Sequence, residues 1–206
     1  MMPVAPEERA TRGVRVLLAD DDAEARALLA ELLVAFGHDV VAQVASGDEA
    51  IERAQDLEPD VVLLDVHMPG RSGIDAAATI TDLVPGTSVV LFTGDPALTL
   101  SDGQVGETAA IAVLPKPTPP PLLDSTVRCA AQRGREMSAA RREAEVARQE
   151  LEERKWVERA KGVLMRRAGV SEEEAFRILR RASQDRSRPM IEVAQAVLDD
   201  AADATS

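Results

Sequence analysis

Asp20 and Asp21 follow the apolar run VRVLLA, Asp65 closes VVLL, Thr93 follows LF and Lys116 follows LP. Each of these polar side chains stands at the end of a short apolar stretch, where a strand would deliver it to one edge of a sheet. Three carboxylates without histidine or cysteine make an oxygen-only donor set. Such a set suits a hard cation such as Mg2+, which keeps part of its water and bridges phosphate. A carboxylate is also a nucleophile toward a phosphoryl group, giving an aspartyl phosphate. A hydroxyl and an ammonium beside it would stabilise charge on the transferred oxygens.

Those residues converge only if the chain folds as strands alternating with helices, and its periodicity says that it does. Residues 14–19 read as a buried strand, and Ala25, Leu28, Leu29, Leu32, Leu33 and Phe36 then recur at helical spacing before Gly37. The pattern repeats with strands at 40–45, 60–64, 88–92 and 110–114 and helices at 47–57 and 73–83. Five strands in such alternation predict an α/β doubly wound, five-stranded parallel sheet with helices on both faces. A helix between the last two strands would fall in PALTLSDGQVGETA, where glycines break the periodicity and irregular structure is expected.

LPKPTPPP ends the sheet domain as a stiff connector, so that domain is expected to span 13–121. A helical linker follows over 122–150, interrupted by Gly134, in which Met137, Ala140, Ala144, Ala147 and Leu151 alternate spacings of three and four. That is a coiled-coil seam. Over 151–200 a small all-α three-helix bundle is predicted. Val157, Ala160, Leu164 and Ala168 mark its first helix, which Gly169 stops, and Ser171 with Glu174 has capping-box spacing for the second. Ala175, Phe176, Leu179 and Ala182 give the apolar face of the second helix. Pro189 suits the first turn of a third, which presents Ile191, Ala194, Val197 and Leu198.

Charge divides the chain in the same place. Residues 1–125 hold 7 Lys and Arg against 21 Asp and Glu, whereas residues 126–190 hold 17 against 11. The acidic total of −12 therefore conceals a basic later segment suited to an anionic partner. Aromatics are 2% and tyrosine is absent, so the core must be aliphatic. Cys129 is the single cysteine, which excludes an internal disulfide and a cysteine-based zinc site. The opening MMPVAPEERATRG lacks the apolar core of a signal peptide and no run has membrane-spanning length, so a cytoplasmic protein with no membrane partner is expected.

The segments VLLADDDAEAR, VVLLDVHMPGRSG, LFTG and LPKP, in that order and spacing, resemble the receiver domain of two-component response regulators over about residues 13–125. The resemblance implies a flavodoxin-like fold in which Asp65 accepts a phosphoryl group from a cognate histidine kinase. It implies that Asp20 and Asp21 bind Mg2+, Asp21 most directly, and that His67 adds its backbone carbonyl. Thr93 becomes the switch hydroxyl that follows the phosphate, and Lys116 pairs with it, its bond to Pro117 being cis. The imidazole of His67 itself reads as an exposed loop side chain, with no partner placed to activate it. One departure is Val113, where the family often carries an aromatic three residues before the lysine. It puts aromatic-coupled relay in doubt and leaves the phosphoryl chemistry intact.

VERAKGVLMRRAGVSEEEAFRILRRAS followed by IEVAQAVL resembles the ANTAR domain, the RNA-binding module of transcription antitermination regulators. RNA hairpins in nascent transcripts are the implied ligand. Lys161, Arg166, Arg167, Arg177, Arg180 and Arg181 lie off the predicted apolar faces and are the candidate RNA contacts. Trp156 is read as a core or interface residue rather than a base-stacking one. The expectation is a non-enzymatic, phosphorylation-controlled RNA-binding regulator that forms a homodimer through its helical linker. Two rivals differ in class: a phosphotransferase or phosphatase acting through Asp65 on outside substrates, and an adaptor whose helical tail binds proteins.

Overall fold

The computed structural model describes residues 13–94 and 110–203. Its elements run β1 (Arg15–Ala19), α1 (Ala23–Ala35), β2 (Asp39–Val44), α2 (Gly47–Leu57), β3 (Val61–Asp65), α3 (Gly73–Leu83), β4 (Ser88–Thr93) and β5 (Ala112–Pro115). After these come α4 (Pro120–Ala168), α5 (Glu172–Arg186) and α6 (Met190–Asp203). The segment in which the sequence placed a helix between the last two strands lies outside the described residues. The chain divides into two compact units, residues 1–139 and 140–206.

In the first unit five parallel strands form one sheet in the order β2-β1-β3-β4-β5. Successive side chains of a strand face opposite ways, and here both faces are covered, so the strands carry near-continuous aliphatic runs. Leu17, Ala19, Val62, Leu64, Val89 and Leu91 point to one face and pack with Ala50, Ala54, Ala76, Ala77 and Ile80 of α2 and α3. Val16, Leu18, Val61, Leu63, Val90 and Phe92 point to the other, where Ala30 and Leu33 of α1 meet them. The absence of tyrosine is thus no handicap, because small and branched side chains fill both layers.

Helix starts follow local chemistry. Asp22 accepts from the amides of Glu24 and Ala25, Ser46 from Glu49 and Ser72 from Asp75, each satisfying donors that a helix N-terminus leaves unpaired. His38 is buried, its Nε2 is 2.9 Å from an Asp124 carboxylate oxygen, and burial pushes its pKa down.

The sheet domain does not stop at 121. Leu123, Val127, Ala130 and Ala131 of α4 are buried in the second core. Their spacings of four, three and one lay a single helical face on the sheet, which the proline-rich boundary at 114–121 conceals. Gly134 also departs from its reading as an interruption, since α4 runs through it unbroken. A Cβ there would lie 2.5 Å from the Ser88 hydroxyl oxygen and 2.7 Å from the Gly86 carbonyl oxygen. Ser88 donates to the Ala130 carbonyl at 2.7 Å in the same contact. The glycine leaves room for the Gly86 carbonyl and the Ser88 side chain at the start of β4. Gly134→Ala is accordingly expected to destabilise by about 1 to 3 kcal/mol, against the helix propensity of alanine. A denaturant midpoint equal to or above wild type would contradict this.

In the second unit Ala160, Leu179, Val193 and Ala194 form a small core, with Trp156, Val157, Leu164, Ala182, Val197 and Leu198 packed against it. Three sequence expectations shift. Phe176 is exposed rather than facing inward, because Ala175, Leu179 and Ala182 already define the buried face and position 176 lies a helical step to its side. Ala168 is exposed at the end of α4. Pro189 sits just before α6 and its carbonyl accepts from Glu192 and Val193, so it caps the helix rather than opening it. Among the described residues no helix is long and apolar enough to cross a membrane.

Candidate functional site

The sheet order places the site. The chain passes from β1 outward to β2 and then back to β3 on the other side, so the crevice beyond the carboxyl ends of β1 and β3 is the topological switch point of the sheet. Asp20 follows β1 and Asp65 ends β3, with relative exposures of 1% and 6%, while Asp21 is exposed. One carboxylate oxygen from each of Asp20, Asp21 and Asp65 falls within 4.8 Å of the others. Thr93 is buried at the end of β4, beside β3. Lys116 follows β5, and its amide donates to the Thr93 carbonyl at 2.6 Å.

The Lys116 ammonium joins the two sides. Its Nζ lies 2.6 Å from an Asp20 oxygen and 3.0 Å from an Asp65 oxygen, and 5.6 Å from the centre of the Phe92 ring. Desolvation pulls the lysine pKa down, but hydrogen bonds and charges of Asp20 and Asp65 outweigh it and leave it raised. Burial pushes the Asp65 carboxyl up, opposed in part by its hydrogen bond to Lys116. Two buried carboxylates held by one cation, with a third carboxylate exposed beside them, form a negatively charged pocket open to a further cation.

Some contributors were not singled out from the sequence. Asp22, third of the acidic run, caps α1, and its amide donates to Asp20 at 3.0 Å. Arg26 donates to the Asp20 carbonyl. Phe92 lies beneath the lysine. Gly73 begins α3 with its amide on the Val66 carbonyl, and a Cβ there would fall 2.0 Å from the Asp65 carbonyl oxygen. The glycine spacing within HMPGRSG carried a signal for that approach; the aromatic contact carried none. The Lys116–Pro117 peptide is cis. His67 is exposed in the loop after β3. Val113 is half-buried and packs into the core facing α2 and α3.

The basic candidates of the second unit separate into two sets. Lys161 is a correction: it is buried at 7% relative exposure, not displayed on a free surface. Its ammonium is 2.6 Å from Glu172 and 2.9 and 3.0 Å from the two oxygens of Glu158. The hydrogen bonds it donates to Glu172 and then Glu158 hold its pKa above the ordinary lysine value. The turn at Gly169, whose φ is +65°, folds α5 back so that its first acidic residue meets Lys161. Arg167 donates to the Asp200 and Ala201 carbonyls at the end of α6, where a cation is favoured. Arg166, Arg177, Arg180 and Arg181 are exposed, with Arg177 paired to Glu174 and Arg181 3.7 Å from Asp185. Of the capping box, Ser171 accepts from the Glu174 amide at 3.2 Å, while the Glu174 carboxylate turns to Arg177.

Comparison with known proteins agrees with this division. The family model for the response regulator receiver domain matches residues 16–128, and that for the ANTAR domain matches residues 145–198. The transcriptional regulatory protein PdtaR of Mycobacterium tuberculosis is 38% identical over 187 residues, covering 90% of this chain and 89% of that protein. Among solved structures, the response regulator domain of Thermotoga maritima CheB aligns with a TM-score of 0.53 at 28% identity, covering 59% of this chain and 98% of that one. The receiver domain of the putative response regulator NarL from M. tuberculosis gives a TM-score of 0.52 at 28% identity and the same coverages. A sheet with its acidic crevice at the switch point, a helix leading from it and a separate helical bundle are therefore the parts of one known architecture: the chain belongs to the response regulators that join a receiver domain to an ANTAR domain.

Proposed function

We propose that this response regulator takes a phosphoryl group onto Asp65 from a cognate histidine kinase in the cytoplasm and, in response, binds RNA hairpins in nascent transcripts to prevent termination. The observation that carries the first half is the Lys116 bridge between Asp20 and Asp65 beside the exposed Asp21. Carboxylate oxygens without nitrogen or sulfur ligands fit Mg2+, and Asp20, Asp21 and Asp65 would hold it together with the His67 backbone carbonyl. Bound there, the cation would neutralise charge on the phosphoryl oxygens. The chain's own residues do the rest. An ionised Asp65 oxygen attacks phosphorus as the bond to the kinase imidazole breaks. Lys116, already 3.0 Å from Asp65, is placed to pair with the new phosphate, and Thr93 at the end of β4 supplies the hydroxyl that follows it.

The second half rests on the exposed arginines of the bundle and on the resemblance of the whole chain to a transcriptional regulatory protein. Met137, Ala140, Ala144, Ala147 and Leu151 are exposed along α4, which suits pairing of two chains. A homodimer would present two bundles to paired hairpins and gain avidity without new contacts.

The test is hairpin affinity, measured with and without a small acyl-phosphate donor across a salt series. Affinity is expected to rise with the donor and to fall steeply with salt, by roughly 10³ between 50 and 200 mM for about six phosphate contacts. An affinity indifferent to both would sink the proposal and favour a tail that binds protein.

A further inference from the structure

Two glycines lie inside α4, and their surroundings are opposite. Gly134 is packed against the Ser88 side chain and the Gly86 carbonyl, as described above. Gly162 is not: among the described residues, the only atom a Cβ there would meet is Nη1 of Arg166 at 3.5 Å, ordinary contact with the end of a flexible side chain. Its φ is not in the left-handed region either. A helix-interior glycine is less favourable than alanine, because it surrenders more backbone freedom and buries nothing. Among the described residues, neither packing nor backbone geometry explains why position 162 goes without a side chain.

The neighbours on the helix surface say what the space admits. Lys155, Arg159, Gly162 and Arg166 are spaced by four, three and four, so they line one stripe of α4, turned away from the side on which Ala160 and Leu164 meet the bundle core. The three basic side chains are exposed. Arg159 stands 5.7 Å from the Trp156 ring centre, and Lys155 pairs with Glu152 at the edge of the stripe. Glu158 is drawn to Lys161 instead.

Resting on the RNA-binding reading, we infer that Gly162 is the point at which an RNA backbone makes its closest approach to the bundle, with Arg159 and Arg166 pairing with phosphates on either side of it. Charge decides the occupant. A second copy of this chain presenting the same stripe would set Arg159 and Arg166 against like charges, whereas a phosphodiester strand supplies the opposite sign. The seven steps from 159 to 166 span about 10 Å of helix axis, and between them only the movable end of Arg166 lies over Gly162, so a strand can lie close against the helix. This assigns contacts differently from sequence alone: Lys161 holds the bundle together, and its neighbour makes the approach.

The full-length protein can be titrated with a hairpin RNA pool of randomised loop sequence, alongside thermal unfolding. Gly162→Ala is expected to raise the midpoint of the bundle transition by about 2 to 4 °C. It is also expected to weaken RNA affinity by about tenfold, a combination that simple damage to the fold cannot produce. Arg166→Gln should weaken binding and reduce the salt slope by about one. Wild-type affinity in Gly162→Ala would overturn the inference while leaving RNA binding in place. A wild-type protein that binds no hairpin would overturn the RNA reading itself and the inference with it. If Gly162→Ala changes the sedimentation of the free protein and not its RNA affinity, the stripe belongs to a contact between copies and the inference fails.

Discussion

Asp65→Asn is expected to reduce phosphoryl uptake from a small acyl-phosphate donor by at least about a thousandfold, while leaving the receiver as stable as wild type or more so at neutral pH. The loss follows from removing the carboxylate that Lys116 holds at the end of β3 and that is proposed as the nucleophile. The stability follows from linkage. Burial raises the Asp65 pKa above 3.8, the value from which it is shifted, with Lys116 opposing. A carboxyl raised on folding favours the folded state when protonated and loses that contribution as pH rises through its folded pKa. At neutral pH the ionised group therefore opposes folding, and asparagine keeps the shape and an acceptor for Lys116 without the charge. Intact mass after donor treatment measures the first effect. Thermal midpoints at neutral and mildly acidic pH measure the second, with the advantage of the variant shrinking as pH falls. Undiminished uptake in the variant would remove Asp65 from its role.

Gly73→Ala should destabilise the receiver severely, at about 3 kcal/mol. The added carbon would stand 2.0 Å from the Asp65 carbonyl oxygen, 2.9 Å from its carbonyl carbon and 3.1 Å from the Val66 Cα. All three atoms are backbone, so no side chain can rotate aside. Either α3 moves or the end of β3 does, and the second displaces the Asp65 carboxylate. Gly70→Ala in the same loop is the control: its φ is +79°, yet a Cβ there meets nothing within 4 Å. That change costs about 1 to 2 kcal/mol from conformation alone. Urea midpoints of the two variants, with phosphoryl uptake measured on each, separate close packing from backbone strain. A smaller loss in Gly73→Ala than in Gly70→Ala would refute the argument.

The receiver was legible because its code is local and redundant. Near-continuous aliphatic runs on the strands and helical spacing between them agree with one another, so the sheet and its acidic edge followed from pattern. The bundle was less legible at its polar positions. A helical wheel places Lys161 beside the core face, but whether it faces water or a carboxylate depends on where α5 returns after Gly169. Arg167 likewise looks free until the end of α6 arrives beneath it. Val193 is buried although the spacing read from Ile191 passed over it, because the third helix meets two others at once.

By itself, then, the sequence determined which residue types stand at the strand ends, how the helices are capped, and that an acidic α/β domain precedes a basic helical one. Those properties depend on neighbours within a few positions along the chain, where stereochemistry and periodicity act directly. The tertiary structure alone decided that Lys116 bridges Asp20 and Asp65, that Lys161 is enclosed by Glu158 and Glu172, and that Gly134 is packed while Gly162 is bare. Lys116, Lys161 and Gly134 each depend on an atom from a distant segment, and Gly162 on the lack of one among the described residues. A buried charge or a missing Cβ takes its meaning from the partner that arrives, and one-dimensional spacing does not specify that partner.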